Sequence, residues 1–146
     1  MKKSITVIAE AGVNHNGSIK TAMEMIEKAS EAGADLVKFQ TFKAESLLTQ
    51  VAEKTEYQKK HTDIKESQFD MIKKFELDKT AHEELIHYCK RKSVGFLSTP
   101  FDIESIDLLY KLNIPFFKIP SGEITNLPYL EHIGSMGKSI VMSTGM

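Results

Sequence analysis

A chain of 146 residues with 41% hydrophobic and 27% charged side chains has enough apolar material for one packed domain and lies outside the disordered and membrane classes. Its formal net charge of -1 gives no long-range attraction to nucleic acid or to an anionic membrane surface, so any cationic feature has to be a local pocket suited to a small ligand. The single cysteine, Cys89, excludes an intrachain disulfide and a zinc site built on several thiolates, and it fits a reducing cytoplasm.

The first apolar run, Ile5 to Ala9, follows two lysines but is broken by Glu10 and then by Asn14, His15 and Asn16, so it reads as a strand and not as a signal peptide. Ala22, Met25, Ile26 and Ala29 then repeat at helical spacing, with Gly33 as a C-terminal stop. Leu36 to Phe39 is a second strand. From Lys43 to Asp78 the chain is polar and rich in Glu, Lys and Gln, with a helix-like piece at Gln68 to Phe75, and it reads as an elaborated loop. Leu85, Ile86 and Cys89 mark a second helix, and Val94 to Leu97 a third strand. Asp102 is placed to cap a third helix whose buried stripe is predicted as Ile103, Ile106, Leu109 and Tyr110. Ile114 to Ile119 is the fourth strand, Asn126 and Pro128 open a short helix ending near Gly134 or Gly137, and Ile140 to Met142 is the fifth strand. No stretch approaches the roughly 18 apolar residues of a membrane span.

The five runs are nearly continuous in apolar character, which is the pattern of parallel strands covered on both faces, and their alternation with helices implies βαβ units. The class is α/β. An open doubly wound sheet and a (β/α)8 barrel both accommodate this order, although a complete barrel needs roughly 200 to 250 residues.

In either architecture ligands bind at the carboxyl ends of the strands. Glu10, Gly12, Asn14, His15 and Asn16 follow the first strand; Lys38 and Gln40 lie in the second, Ser98 and Thr99 in the third. The fourth contributes Lys118, Ser121 and Glu123, the fifth Ser143 and Thr144. Lys38 and Lys118 each sit between apolar neighbours, where an unpaired ammonium costs several kcal/mol, so something anionic must answer them. Glu10 and Glu123 can do so as structural salt bridges; the hydroxyls of Thr99, Ser121 and Ser143 beside two lysines also suit a phosphate or carboxylate ligand. No dinucleotide or P-loop fingerprint is present, His15 reads as a hydrogen-bonding loop residue, and no metal site is legible.

Taken together, the segments IAEAGVNHNG (8–17), VKFQT (37–41), FLSTPF (96–101), FKIPSGE (117–123) and MSTGM (142–146) resemble, in order and spacing, the strand-end motifs of the N-acetylneuraminate synthase family. That family includes synthases of sialic, legionaminic and pseudaminic acids and spore-coat polysaccharide proteins. The resemblance implies that residues 1–146 are the N-terminal part, about five βα units, of a (β/α)8 TIM barrel. The rest of the barrel and an antifreeze-like domain would follow in a typical member, which forms a homodimer. It further implies a reaction between phosphoenolpyruvate and an N-acylated amino sugar. Lys38, Thr99, Lys118, Ser121 and Ser143 would contact the phosphate and carboxylate, Glu10 would hold sugar hydroxyls, and Glu123 would stand beside the reacting enolpyruvyl group. A divalent metal, manganese or magnesium, is implied as cofactor with its ligands outside this chain. Two alternatives stay open: a Schiff-base aldolase using Lys118, and a catalytically incomplete half-barrel serving as an assembly module.

Overall fold

Every long helix starts on a side-chain cap, and the caps set where each crossover turns back onto the sheet. The computed structural model describes residues 5–47 and 67–145. Within them β1 (Ile8–Gly12), α1 (Ile19–Glu31), β2 (Leu36–Thr41) and α2 (Ala44–Leu47) are followed by α3 (Gln68–Lys74), α4 (Lys79–Arg91) and β3 (Gly95–Pro100). Then come α5 (Ile103–Lys111), β4 (Phe117–Ile119), a 3-10 turn at Ser121–Glu123, α6 (Leu127–Ser135) and β5 (Ile140–Met142). Ser18, Ser67, Asp78, Asp102 and Asn126 each accept a backbone N–H three residues on, contributions of about 1 kcal/mol each. The middle of the predicted long loop, 48–66, and Met146 of the fifth motif lie outside the described residues.

All ladders are parallel. β2 is central between β1 and β3, β4 pairs with β5, and β3 runs beside β4 without exchanging ladder bonds. The helices pack on one face: Ala22 and Ile26 of α1, Leu85 and Cys89 of α4, and Ile106 and Leu109 of α5 join Val37, Phe39, Phe96 and Phe117 in one buried cluster.

Three sequence expectations are corrected. The first three strands run past the ends of their apolar runs: β1 starts at Ile8, leaving Ile5 and Val7 73% and 52% exposed, β3 starts at Gly95, and β1, β2 and β3 continue through polar residues to Gly12, Thr41 and Pro100, whereas β5 has the expected bounds. Backbone pairing is indifferent to side-chain polarity, so the ladder runs on into the site. β4 loses its first half because Pro115 has no N–H to give a ladder, although Ile114 remains buried. In α5 only Ile106 and Leu109 form the stripe; Ile103 and Tyr110 are 42% and 43% exposed, since they flank the narrow arc that faces the sheet. Among the described residues no helix is long and apolar enough to cross a membrane.

Candidate active site

Side chains alternate across a strand, and β2 sorts its polar residues by that rule. Val37, Phe39 and Thr41 are buried on the helix side, while Lys38 and Gln40 take the opposite face. There Glu10 stands opposite Lys38, and Gln40 opposite Thr99. Lys38 Nζ lies 2.5 Å from Glu10 Oε2 and donates to Thr99 Oγ1 at 3.3 Å. Gly12, at φ +56°, lets the carboxylate sit back over the strand end: a Cβ there would come within 3.3 Å of Glu10 Oε1.

The second lysine is arranged differently. Lys118 Nζ donates to the Ile119 carbonyl at 2.9 Å and to Ser143 Oγ at 2.5 Å, so β4 and the residue after β5 hold it, with no carboxylate bonded to it among the described residues. Burial first, then the charge of Lys38, hold its pKa below the ordinary lysine value, with Glu10 partly opposing. Each charge is felt at Lys118, which puts Glu10, Lys38 and Lys118 in one electrostatic neighbourhood. Ser121, in the 3-10 turn, neighbours the segment after Ser143: a Cβ on Gly145 would lie 3.8 Å from the Ser121 Cβ.

Glu123 does not answer either lysine. It accepts from Asn126 Nδ2 at 2.6 Å, tying the turn to the cap of α6, and its charge adds to burial, the larger cause, in pushing the Tyr129 hydroxyl upward in pKa. The structure therefore brings together Glu10, Lys38 and Thr99 as one cluster and Lys118 with Ser143 as another, with Ser121 beside them and Glu123 at the rim.

Two histidines matter more than their sequence context suggests. His15 is fully buried; its Nδ1 accepts from the Gly17 N–H at 3.0 Å, its ring is tilted against Phe39, and its Nε2 has no partner among the described residues. His82, also fully buried, has Nε2 2.7 Å from Thr41 Oγ1 and Nδ1 2.8 Å from the Asp78 carbonyl, and Thr41 Oγ1 is 2.6 Å from Ser98 Oγ. Ser98, expected beside Thr99 at the strand end, instead falls with Thr41 on the face opposite Lys38 and Thr99, as the alternation of side chains along β2 and β3 requires. Among the described residues no group of three or more His, Cys, Asp or Glu is arranged to hold a metal ion.

The NeuB family model matches residues 25–146. The chain belongs to the NeuB family. It is 56% identical over 146 residues to N,N'-diacetyllegionaminic acid synthase of Campylobacter jejuni, a match that covers all of this chain and 43% of that protein. With the enzyme of the same name from Legionella pneumophila it shares 48% over 140 residues, covering 96% of this chain and 39% of that protein. The chain thus spans less than half the length of these relatives. Among solved structures it is similar to the N-acetylneuraminic acid synthetase of Leptospira borgpetersenii in complex with citrate, with a TM-score of 0.80 and 28% identity, covering 97% of this chain and 46% of that one. This likeness decides the architecture: the NeuB chain is the N-terminal portion of a (β/α)8 barrel and not an open doubly wound sheet.

Proposed function

We propose that the protein containing this NeuB chain is a sialic-acid-type synthase, which condenses phosphoenolpyruvate with an N-acylated amino sugar and releases phosphate. The observation that carries the reading is the pair of strand-end lysines, Lys38 with Thr99 and Lys118 with Ser143, gathered in a chain whose relatives are nonulosonic acid synthases. Among the described residues two ammonium groups meet one paired carboxylate, a net cationic mouth that suits a ligand carrying both phosphate and carboxylate.

In this reading C3 of phosphoenolpyruvate bonds to the aldehyde carbon of the open-chain sugar, and the aldehyde oxygen takes up a proton. Water then adds to C2 and gives up a proton, and phosphate leaves with cleavage of its bond to C2. Lys38 and Lys118 hold the anion through this sequence, with Thr99, Ser121 and Ser143 as hydroxyl partners. Glu10 binds sugar hydroxyls, and Glu123 steers the water or the new hydroxyl. Removing the three pyruvate carbons from a diacetylated nonulosonic acid leaves a six-carbon aldose bearing two acetamido groups, so that sugar is the first to test beside N-acetylmannosamine. A divalent metal, manganese or magnesium, enters the reading only through ligands beyond this chain: Glu10 is engaged by Lys38 and Glu123 by Asn126, and the described residues do not make a metal site by themselves. The same reading makes the native protein a cytoplasmic homodimer.

The lowered pKa of Lys118 favours a second reading, a Schiff-base aldolase, because a nucleophilic amine must be partly neutral. Borohydride trapping separates the two: no covalent pyruvate adduct at Lys118 is expected, and an adduct overturns the synthase chemistry. The direct test is phosphate release by the native full-length protein from phosphoenolpyruvate in 18O-water. Sugar-dependent release of unlabelled phosphate is the expected result; no release with either sugar, at an intact mass near 16.4 kDa, would leave the incomplete half-barrel.

A further inference from the structure

The outer face of the sheet carries a buried polar chain directly behind the cationic mouth. The Asp78 carbonyl can only accept, so the hydrogen between it and His82 sits on Nδ1. In the neutral ring Nε2 then accepts, and the group that donates is the Thr41 hydroxyl. Thr41 Oγ1 in turn accepts from the Ser98 hydroxyl, so all three hydrogens run one way: Ser98 to Thr41 to His82 to Asp78. Thr41, Ser98 and His82 are at most 2% exposed, and water does not substitute for a lost partner there.

The location gives this chain a consequence for the site. Thr41 holds the last ladder position of β2, opposite Pro100, and Ser98, two positions earlier on β3 and opposite Phe39, is its diagonal neighbour. Ser98 is bonded to Thr99, and Thr41 to Gln40, whose side chains take the other face. Holding two outer-face hydroxyls to an anchored histidine fixes the plane of both strand ends, and with it the distance between Thr99 Oγ1 and Lys38 Nζ. The anchor is firm because the Asp78 carbonyl also accepts the backbone N–H of His82, and the Asp78 carboxylate caps α4.

We propose that His82 is a positioning residue for the anion site: through Thr41 and Ser98 it sets the strand ends that present Lys38 and Thr99 to a phosphate-bearing ligand. The inference rests on the reading of that mouth as a phosphoenolpyruvate site, and its test is built on binding so that turnover is not required. Glutamine places a carbonyl oxygen near the position of Nε2 and keeps the link to Thr41, whereas asparagine reaches only the Nδ1 position and loses it. Calorimetry of phosphoenolpyruvate with the full-length protein should therefore give His82→Gln an affinity within about twofold of the native value, with His82→Asn and Thr41→Val weakened about fivefold or more, the scale of one net hydrogen bond. A residue that only stabilised the fold would lower the melting temperature without changing affinity in the folded fraction. Equal affinities in His82→Gln and His82→Asn, or an unchanged affinity in folded Thr41→Val or Ser98→Ala, overturn the proposal. Should the histidine variants fail to fold, 15N spectra of the native protein decide: a protonated Nε2 on His82 overturns it, and an unprotonated Nε2 together with weakened binding in Ser98→Ala supports it. Native binding of phosphoenolpyruvate without turnover would remove the synthase reading alone; no binding at all would remove both.

Discussion

Lys38 and Glu10 face each other across the β1–β2 ladder, and their charged ends meet at 2.5 Å although the Glu10 side chain is 53% exposed and the Lys38 side chain only 14%. So open a pair contributes little stability. Its larger effect is on the field of the mouth, where one carboxylate offsets one of two ammonium groups. Glu10→Gln removes that offset and, in the proposed synthase reading, weakens the acceptor for sugar hydroxyls. Steady-state kinetics on the full-length protein should show KM for the sugar raised about tenfold or more, as loss of a charge-assisted hydrogen bond implies, with KM for phosphoenolpyruvate unchanged or lower. A rise confined to phosphoenolpyruvate would remove Glu10 from the sugar side.

Among the described residues Lys118 has no carboxylate partner and is held by Ser143 and its own strand. Lys118→Ala should abolish phosphate release from phosphoenolpyruvate; near-normal turnover would refute its role. Its depressed pKa carries a pH consequence. The free site loses the Lys118 charge at a lower pH than an ordinary lysine would, so affinity for phosphoenolpyruvate should fall as pH rises into the alkaline range, before the protein unfolds. Calorimetry across pH checks this, and a flat profile counts against Lys118 as an anion contact.

What could be read in advance follows from which signals are local. The caps at Asp102 and Asn126, the stop at Gly33, and the order of strands and helices depend on neighbouring residues, and they were legible. The pairing of Lys38 with Glu10 was legible as one of two options, because both sit at strand ends of a parallel unit. The bond from Glu123 to Asn126 was not, since it arises from a 3-10 turn that no periodicity announces. Nor was His82, whose partner Thr41 is far away in sequence and meets it only when α4 packs on β3, beside the end of β2. The exposure of Ile103 and Tyr110 likewise depends on how wide an arc of α5 the sheet covers.

Both buried histidines have pKa values lowered chiefly by burial; at His15 the His82 charge adds to this, while at His82 the Asp78 carbonyl and charge partly oppose it. A group whose pKa falls on folding binds fewer protons in the folded state, so stability rises with pH between the folded and unfolded values. The full contribution is present above the ordinary histidine value of 6.5 and is lost as pH drops below it. Melting temperatures of the native protein should therefore be lower at about pH 5.5 than at about pH 7.5, and the difference should shrink in His82→Gln. An unchanged difference in that variant would show that His82 is not the group being titrated.

Two glycines with nearly the same backbone separate strain from collision. Gly17 has φ +78° and Gly33 φ +79°, so alanine at either is forced into the left-handed region, a cost of about 1 kcal/mol. At Gly33 the cost ends there, because a Cβ meets nothing within 4 Å. At Gly17 the same atom would stand 2.2 Å from the Lys74 carbonyl oxygen, backbone that closes α3 and cannot swing aside like a side chain. The loop carrying His15 must then lift off the end of α3, opening the pocket in which His15 is buried. Gly17→Ala should cost on the order of 3 kcal/mol against about 1 kcal/mol for Gly33→Ala in denaturant unfolding of the full-length protein. Equal losses would mean that α3 yields to the loop, and that the close approach of the two is not what holds His15 in place.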